Sequence, residues 1–177
     1  TVPAAERVAF VLHDMFGVPF DEIAQMAGRT PAAARQLASR ARRRVRGTPV
    51  VEAAELARQR RVAEAFLAAA RAGDVGAILA VLAPDVVRRA DRAALPDGRA
   101  TEVRGAREVS EEITVFGRNS RFAEPVLVDG RVGILVAPLG RIRFALAMTF
   151  EGQRIAAYEL VADPGRLERL DLSVIDR

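Results

Sequence analysis

The 177-residue chain has no cysteine, no tryptophan and no lysine, and it has a single tyrosine and a single histidine. Without cysteine there is neither a disulfide framework nor a zinc–thiolate site, which is compatible with a reducing compartment. The lone His13 has no Cys or acidic companions that would make a metal site or a general base, so it reads as a surface or structural residue of its helix. Long apolar runs are missing too. An uncharged run such as that at about Val132 to Gly140 is far short of the roughly 20 residues of a membrane span. The first residues lack the charged-then-apolar pattern of a secretory leader. The expectation is a soluble, intracellular protein without membrane contact. Aromatics are scarce at 5%, yet half the residues are hydrophobic. That is enough for a core and excludes disorder throughout. The length suits one ordinary domain or two small ones.

Because lysine is absent, all 27 basic residues are arginine, set against 23 acids for a net charge of +4. The arginines are uneven. Seven lie between Arg29 and Arg46, a stretch with no acid. A local basic stripe on a balanced chain points to a polyanion. Most charge runs are only solvated faces, so the spacing of the residues around the stripe has to decide.

Gly47-Thr48-Pro49 follows the stripe and would stop a helix. Two units are expected: residues 1–47, a linker at 48–54, and residues 55–177. In the first, Pro3 to Phe16 spaces Ala4, Val8, Val11, Leu12, Met15 and Phe16 as one helical stripe. A short helix, about Pro19 to Ala27, turns Ile23, Ala24 and Ala27 inward, and Gly28 suits its left-handed cap. Thr30 supplies an N-cap oxygen and Pro31 the first position of a third helix running to about Val45. A short helix, a Gly-containing turn and a longer basic helix make a helix-turn-helix outline. On the third helix Ala34, Leu37, Ala38, Ala41 and Val45 form the buried stripe. Ala32, Gln36, Ser39 and Arg43 lie opposite, flanked by Arg35, Arg40 and Arg46. The N-terminal half of such a helix reads base edges in the major groove, where Gln suits adenine and Arg guanine. The later arginines suit phosphates.

The second unit opens with helices at Glu55 to Ala72 and Val75 to Leu82. A strand follows at Val86 to Ala90, loop chemistry at Leu95 to Gly98, and a helix at Gly105 to Phe116. Four strand-like runs close it: Arg121 to Val128, Arg131 to Ala137, Arg141 to Phe150 and Gln153 to Val161. Asp129-Gly130 between alternating apolar residues is a strong hairpin signal. Helices followed by an antiparallel meander make an α+β pattern. A proton-transfer site would need a carboxylate or His base and an oxyanion donor in one apolar pocket. The polar strand residues are Arg143, Thr149, Tyr158 and Glu159. Tyr158 and Glu159 are adjacent on a strand and point to opposite faces, so no catalytic set is assigned.

Val11-Leu12-His13-Asp14, Gly17, Phe20-Asp21-Glu22-Ile23-Ala24, Gly28 to Ala33 and Arg40-Ala41-Arg42-Arg43 together resemble region four of extracytoplasmic-function RNA polymerase sigma factors. The resemblance implies that the Pro31–Arg46 helix recognises the minus-35 promoter element, with Thr30, Ala32, Arg35, Gln36, Ser39, Arg40, Arg43 and Arg46 at the DNA. The rest is similar to a SnoaL-like domain, an α+β cone with a curved antiparallel sheet shared with ketosteroid isomerase and polyketide cyclases. Phe66 to Asp74, Leu82 to Val86, Val103-Arg104-Gly105 and the meander carry that likeness. Sigma factors with this domain fused behind region four carry an Asn-Pro-Asp-Lys-Leu motif and a glycine-rich loop. Asp163-Pro164-Gly165-Arg166-Leu167 and Asp97-Gly98-Arg99 stand in their places. The resemblance implies a regulatory interface at Asp97, Gly98, Asp163, Pro164, Arg166 and Leu167. Core RNA polymerase and a region-two domain of the same chain are the implied partners, and this segment is expected to be the carboxy-terminal part of a longer protein. No enzyme activity, cofactor or metal is expected, and the cone leaves room for a small apolar ligand. Two alternatives stay open: a cyclase or isomerase type of enzyme, or a ligand-sensing regulator, fused to a DNA-binding module.

Overall fold

The computed structural model describes residues 8–9, 11–13, 16–44, 51–138 and 141–175; side chains at 39–44 and 115–119 lie outside that description. Helical backbone at residues 8–9 and 11–13 precedes α1 (Phe20–Ala27) and α2 (Pro31–Arg44). Then come α3 (Ala53–Ala72), α4 (Val75–Val81), β1 (Leu82–Ala90), β2 (Glu102–Arg104), α5 (Ala106–Phe116), β3 (Ala123–Val128), β4 (Arg131–Val136), β5 (Phe144–Glu151), β6 (Arg154–Val161), α6 (Pro164–Arg169) and β7 (Leu172–Ser173). A 3-10 turn, Arg92–Ala94, lies between β1 and β2.

Local chemistry sets the breaks. Gly28 closes α1 at φ 60°, and Thr30 Oγ1 accepts the Ala33 N–H at 3.2 Å to open α2. Asp74 accepts the Ala77 N–H at 2.9 Å and caps α4. Asp129 and Gly130 turn β3 into β4 with φ of 51° and 76°, the two left-handed residues that a tight hairpin of native twist requires. Helix α3 begins at Ala53, inside the stretch expected to be linker. Residues 45–50, which take in Val45, Arg46, Gly47 and the first part of that stretch, lie outside the described residues.

Seven strands form one sheet in the order β2-β1-β6-β5-β4-β3-β7. The expectation of a purely antiparallel sheet is corrected at one pair, since β1 runs parallel to β6. A parallel neighbour needs a long crossover, and everything from the 3-10 turn through β5 separates these two strands. Their register shifts between Leu82 and Val87, around Pro84, which has no N–H to pair. A second shift lies at Thr149/Phe150. Such irregularities bend strands and curve the sheet.

Side-chain alternation divides the apolar residues between two cores. On one face Leu127, Ile134, Val136, Leu146, Met148 and Tyr158 meet Phe66 and Leu67 of α3, Ile78 of α4, and Val109 and Ile113 of α5. On the other, Val126, Val128, Leu135 and Ala145 join Leu172 and the helix-turn-helix residues Ala9, Val11, Leu12, Ile23, Ala24, Ala34 and Ala38 in one continuous cluster. Two side chains expected inward, Val8 and Ala27, are exposed.

Gly133 marks how tightly β4 is held. A Cβ there would collide with the Leu146 carbonyl oxygen and Val128 Cγ2. Gly133→Ala is expected to destabilise the chain by on the order of 1–3 kcal/mol. Chemical denaturation measures it, and an unchanged midpoint would contradict the close β3–β4–β5 packing.

Candidate nucleic-acid interface and cone cavity

Helix α2 presents two unlike sides. Ala34 and Ala38 are buried and Leu37 is half-buried against the second cluster, while Ala32, Arg35 and Gln36 are exposed. That is the division expected from the helical wheel. Thr30 is exposed with its hydroxyl committed to the α2 cap. Ser39, Arg40 and Arg43 lie on helical backbone with side chains outside the description, and Arg46 is outside the described residues. Gly28, Arg29 and Thr30 are all exposed at the turn, so nothing described covers the N-terminal end of the helix.

One residue of this surface, Phe20, was given no role of its own from sequence. The Phe20 ring carries the Arg35 guanidinium, Cζ lying 5.7 Å from its centroid. On Phe20 the His13 ring also stacks, centroids 3.7 Å apart, and His13 Nδ1 bonds to the Val18 carbonyl at 3.1 Å. His13 is thus structural, as expected, and the cation–π contact orients Arg35. The signal was the aromatic at the start of the short helix, which is read there only as part of a family pattern.

The resemblance-derived regulatory residues lie on two elements, the loop after the 3-10 turn and the start of α6. Asp97 and Gly98 are exposed in the loop between the 3-10 turn and β2. Asp163, Pro164, Arg166 and Leu167 open α6, with Asp163 Oδ1 accepting the Arg166 N–H at 2.9 Å and Pro164 in the first turn. The Arg166 guanidinium binds Asp91 and Glu159 (2.8 Å) of the same unit. It is therefore already paired with carboxylates of its own unit. Asp91 also accepts the N–H groups of Ala162 and Asp163, both at 3.0 Å. Leu167, Leu170 and Val174 are half-buried against the second cluster, so the tail lies on the helix-turn-helix side of the sheet. After α6 the chain straightens into β7 alongside β3.

A cavity of about 390 Å³ opens in the other face, between the sheet, α3, α5 and the 92–96 turn. Its lining is mostly apolar, as with Phe66, Ile113, Ile134 and Leu146. Tyr158 points into it and Glu159 to the opposite side, as the strand alternation required. Arg88 and Glu112 also line the cavity. Arg88 is 2% exposed. Its Nε and Nη2 donate to the Glu112 carboxylate at 2.6–2.9 Å, and Nη1 donates to the Ala100 carbonyl at 2.9 Å. A buried guanidinium needs such pairing. The clue was its register: Arg88 shares a strand face with Val86 and Ala90, both buried. Burial pushes the Tyr158 phenol well above its usual range, with Arg88 opposing and Glu112 adding to the shift. The phenol stays protonated. Among the described residues there is no group of three or more metal-ligating side chains, and no helix long and apolar enough to cross a membrane.

Residues 1–45 match the model of Sigma-70, region 4. The chain is 32% identical over 169 residues to a probable ECF RNA polymerase sigma factor, SigI of Mycobacterium tuberculosis, covering 94% of this chain and 56% of that protein. It is 37% identical over 144 residues to ECF RNA polymerase sigma factor SigJ of the same organism, covering 76% and 45%. The crystal structure of SigJ superposes with a TM-score of 0.52 at 32% identity, over 94% of this chain and 61% of that one. The chain belongs to the extracytoplasmic-function sigma factors. It spans about half the length of the curated relatives it matches. Its fold is the region-four helix-turn-helix followed by a SnoaL-like cone whose sheet is curved and mixed.

The Asp91 clasp of this sigma factor carries a pH signature. Burial alone would raise the Asp91 carboxyl, but the Asp163 and Ala162 N–H groups and the Arg166 guanidinium outweigh it and hold it below the usual carboxylate range. A depressed folded value means stability present above the unfolded value of about 3.9 and lost as pH falls through the folded one. Asp91→Asn is expected to cost about 1 kcal/mol at neutral pH and to flatten the acid limb of a stability-versus-pH curve. Parallel acid limbs in the two proteins would contradict this.

Proposed function

We propose that this chain works in transcription initiation: region four, residues 1–47, holds the minus-35 promoter element, and the cone, residues 55–177, regulates it through the connection at 48–54. Core RNA polymerase is the protein partner and the cytoplasm the place of action. The observation that carries the reading is the two-sided α2. Ala34 and Ala38 are committed to the core while Arg35 and Gln36 remain exposed, on a segment matching region four. In this reading Gln36 and Arg35, with Ala32 and Ser39 beside them, meet base edges, Arg40, Arg43 and Arg46 meet phosphates, and Thr30 caps the helix at the DNA backbone. The loop at Asp97 and Gly98 and the Asp163–Leu167 turn form the regulatory surface. The relatives are sigma factors, which are not enzymes, and the cyclase or isomerase alternative has no support beside them.

A second reading concerns the cone. Its cavity favours a small apolar ligand bound without turnover, which would make the domain a sensor within the sigma factor.

Promoter binding is tested with the full-length protein and core polymerase. Changing Arg40 and Arg43 together to Ala should weaken binding and lower the salt slope by roughly 0.9 for each phosphate no longer neutralised. Gln36→Ala should alter base preference at one position by roughly 1–3 kcal/mol in a selection from randomised promoters. If affinity, salt slope and preference are all unchanged, α2 is not the reading helix.

A further inference from the structure

Arg35 is exposed on α2, and the group its guanidinium touches is the Phe20 ring, with Cζ 5.7 Å from the centroid. Among the described residues no carboxylate or carbonyl pairs with it. A phenyl face offers no lone pair, so the five N–H donors of the side chain remain unspent. Arg88 and Arg166 show the other way of holding an arginine. Their direction is fixed by carboxylates, which take up donors and offset the charge. Arg35 is given a direction while its charge and donors stay available.

The ring is itself fixed. Phe20 opens α1 and is half-buried against the second cluster. The His13 ring stacks on it, with planes 26° from parallel. A carbonyl only accepts, so the His13 Nδ1 that faces the Val18 carbonyl at 3.1 Å carries the proton. Val18 in turn donates its N–H to the Leu12 carbonyl at 3.0 Å. Phe20 thus joins the helical backbone at 11–13, the first turn of α1 and the exposed side of α2, and none of these links uses a donor of Arg35.

From this we infer that Phe20 is a positioning residue for base choice: its ring presets Arg35 so that the guanidinium meets one guanine of the minus-35 element edge-on, at O6 and N7. The inference rests on the promoter reading and names what sets specificity within it. An exposed arginine samples many rotamers and loses that freedom when it docks. A preset one has less to lose. Direction matters as much as entropy. An unheld guanidinium would swing to the nearest phosphate, a contact that is the same in every sequence. The ring keeps Arg35 from that alternative, so the contact it makes depends on the base.

The test is a selection from duplexes with a randomised minus-35 element, made with the full-length protein and core polymerase. The guanine assigned to Arg35 is the one whose preference Arg35→Ala removes. At that position Phe20→Leu, which keeps an apolar side chain but no ring, should narrow the preference by roughly two- to fivefold. Phe20→Tyr keeps the aromatic face and should preserve it. Stepwise fluorination of the Phe20 ring drains its negative face at nearly constant shape and should narrow the preference in step. With Arg35→Ala already in place, Phe20→Leu should change base preference no further. A preference is a ratio within one protein, so loss of folded material cancels from it, and a merely structural Phe20 would leave it unmoved. The inference is overturned by any of five results: no guanine preference lost in Arg35→Ala, an intact preference in Phe20→Leu, tyrosine as damaging as leucine, indifference to fluorination, or an equal effect of Phe20→Leu without Arg35. Each of these leaves the promoter reading standing wherever Gln36→Ala still shifts the preference at its own base pair. A protein that selects no sequence at all removes both.

Discussion

Ile134 and Leu135 are neighbours on β4, point to opposite faces of the sheet, and are each no more than 1% exposed. Both faces of the central strands therefore need an apolar cover. Helices α3 to α5 supply one, leaving the cavity as the space they do not fill. The helix-turn-helix and the α6–β7 tail supply the other. With the α2 stripe of Ala34 and Ala38 committed to that cluster, only the opposite stripe, with Arg35 and Gln36, is left to meet a partner. Core formation on the second face thus fixes which side of α2 is available.

The same cover explains the tail. A hydrophobic cluster shared between two units has a margin, and Leu167, Leu170 and Val174 lie along it. Their placement depends on the Asp91 carboxylate, which collects the turn after β6 and the Arg166 side chain at one point. The Asp163 to Leu167 motif is thus first a device for reversing the chain onto the sheet. Any regulatory role it has is exercised from a position already anchored.

Much of this was legible in the sequence. The Gly28–Thr30–Pro31 punctuation, the Asp129-Gly130 hairpin and the four-strand meander follow from residue chemistry that acts over a few positions. The opposite facing of Tyr158 and Glu159 follows from strand geometry alone. What was not legible depended on distant partners. The alternation in β5 reads as one apolar face backed by small residues, and only the arrival of the helix-turn-helix makes Ala145 a core residue. The parallel β1–β6 pair joins segments separated by most of the domain. Arg88 follows an inward pattern of apolar residues, but its charge argued for solvent until Glu112, on another element, balanced it. Phe20 was visible only as a helix-start aromatic, because the rings and guanidinium it carries come from either side of it in the chain.

An all-arginine basic complement has a last implication for the surface of α2. Guanidinium groups keep their charge across the whole range in which a cell can live, and acylation or methylation of lysine has no substrate here because the chain contains none. The basic charge of α2 is thus a constant of the sequence, out of reach of pH and of lysine-directed modification. A change in how this segment is engaged has to come through geometry, since its basic charge offers no dial to turn.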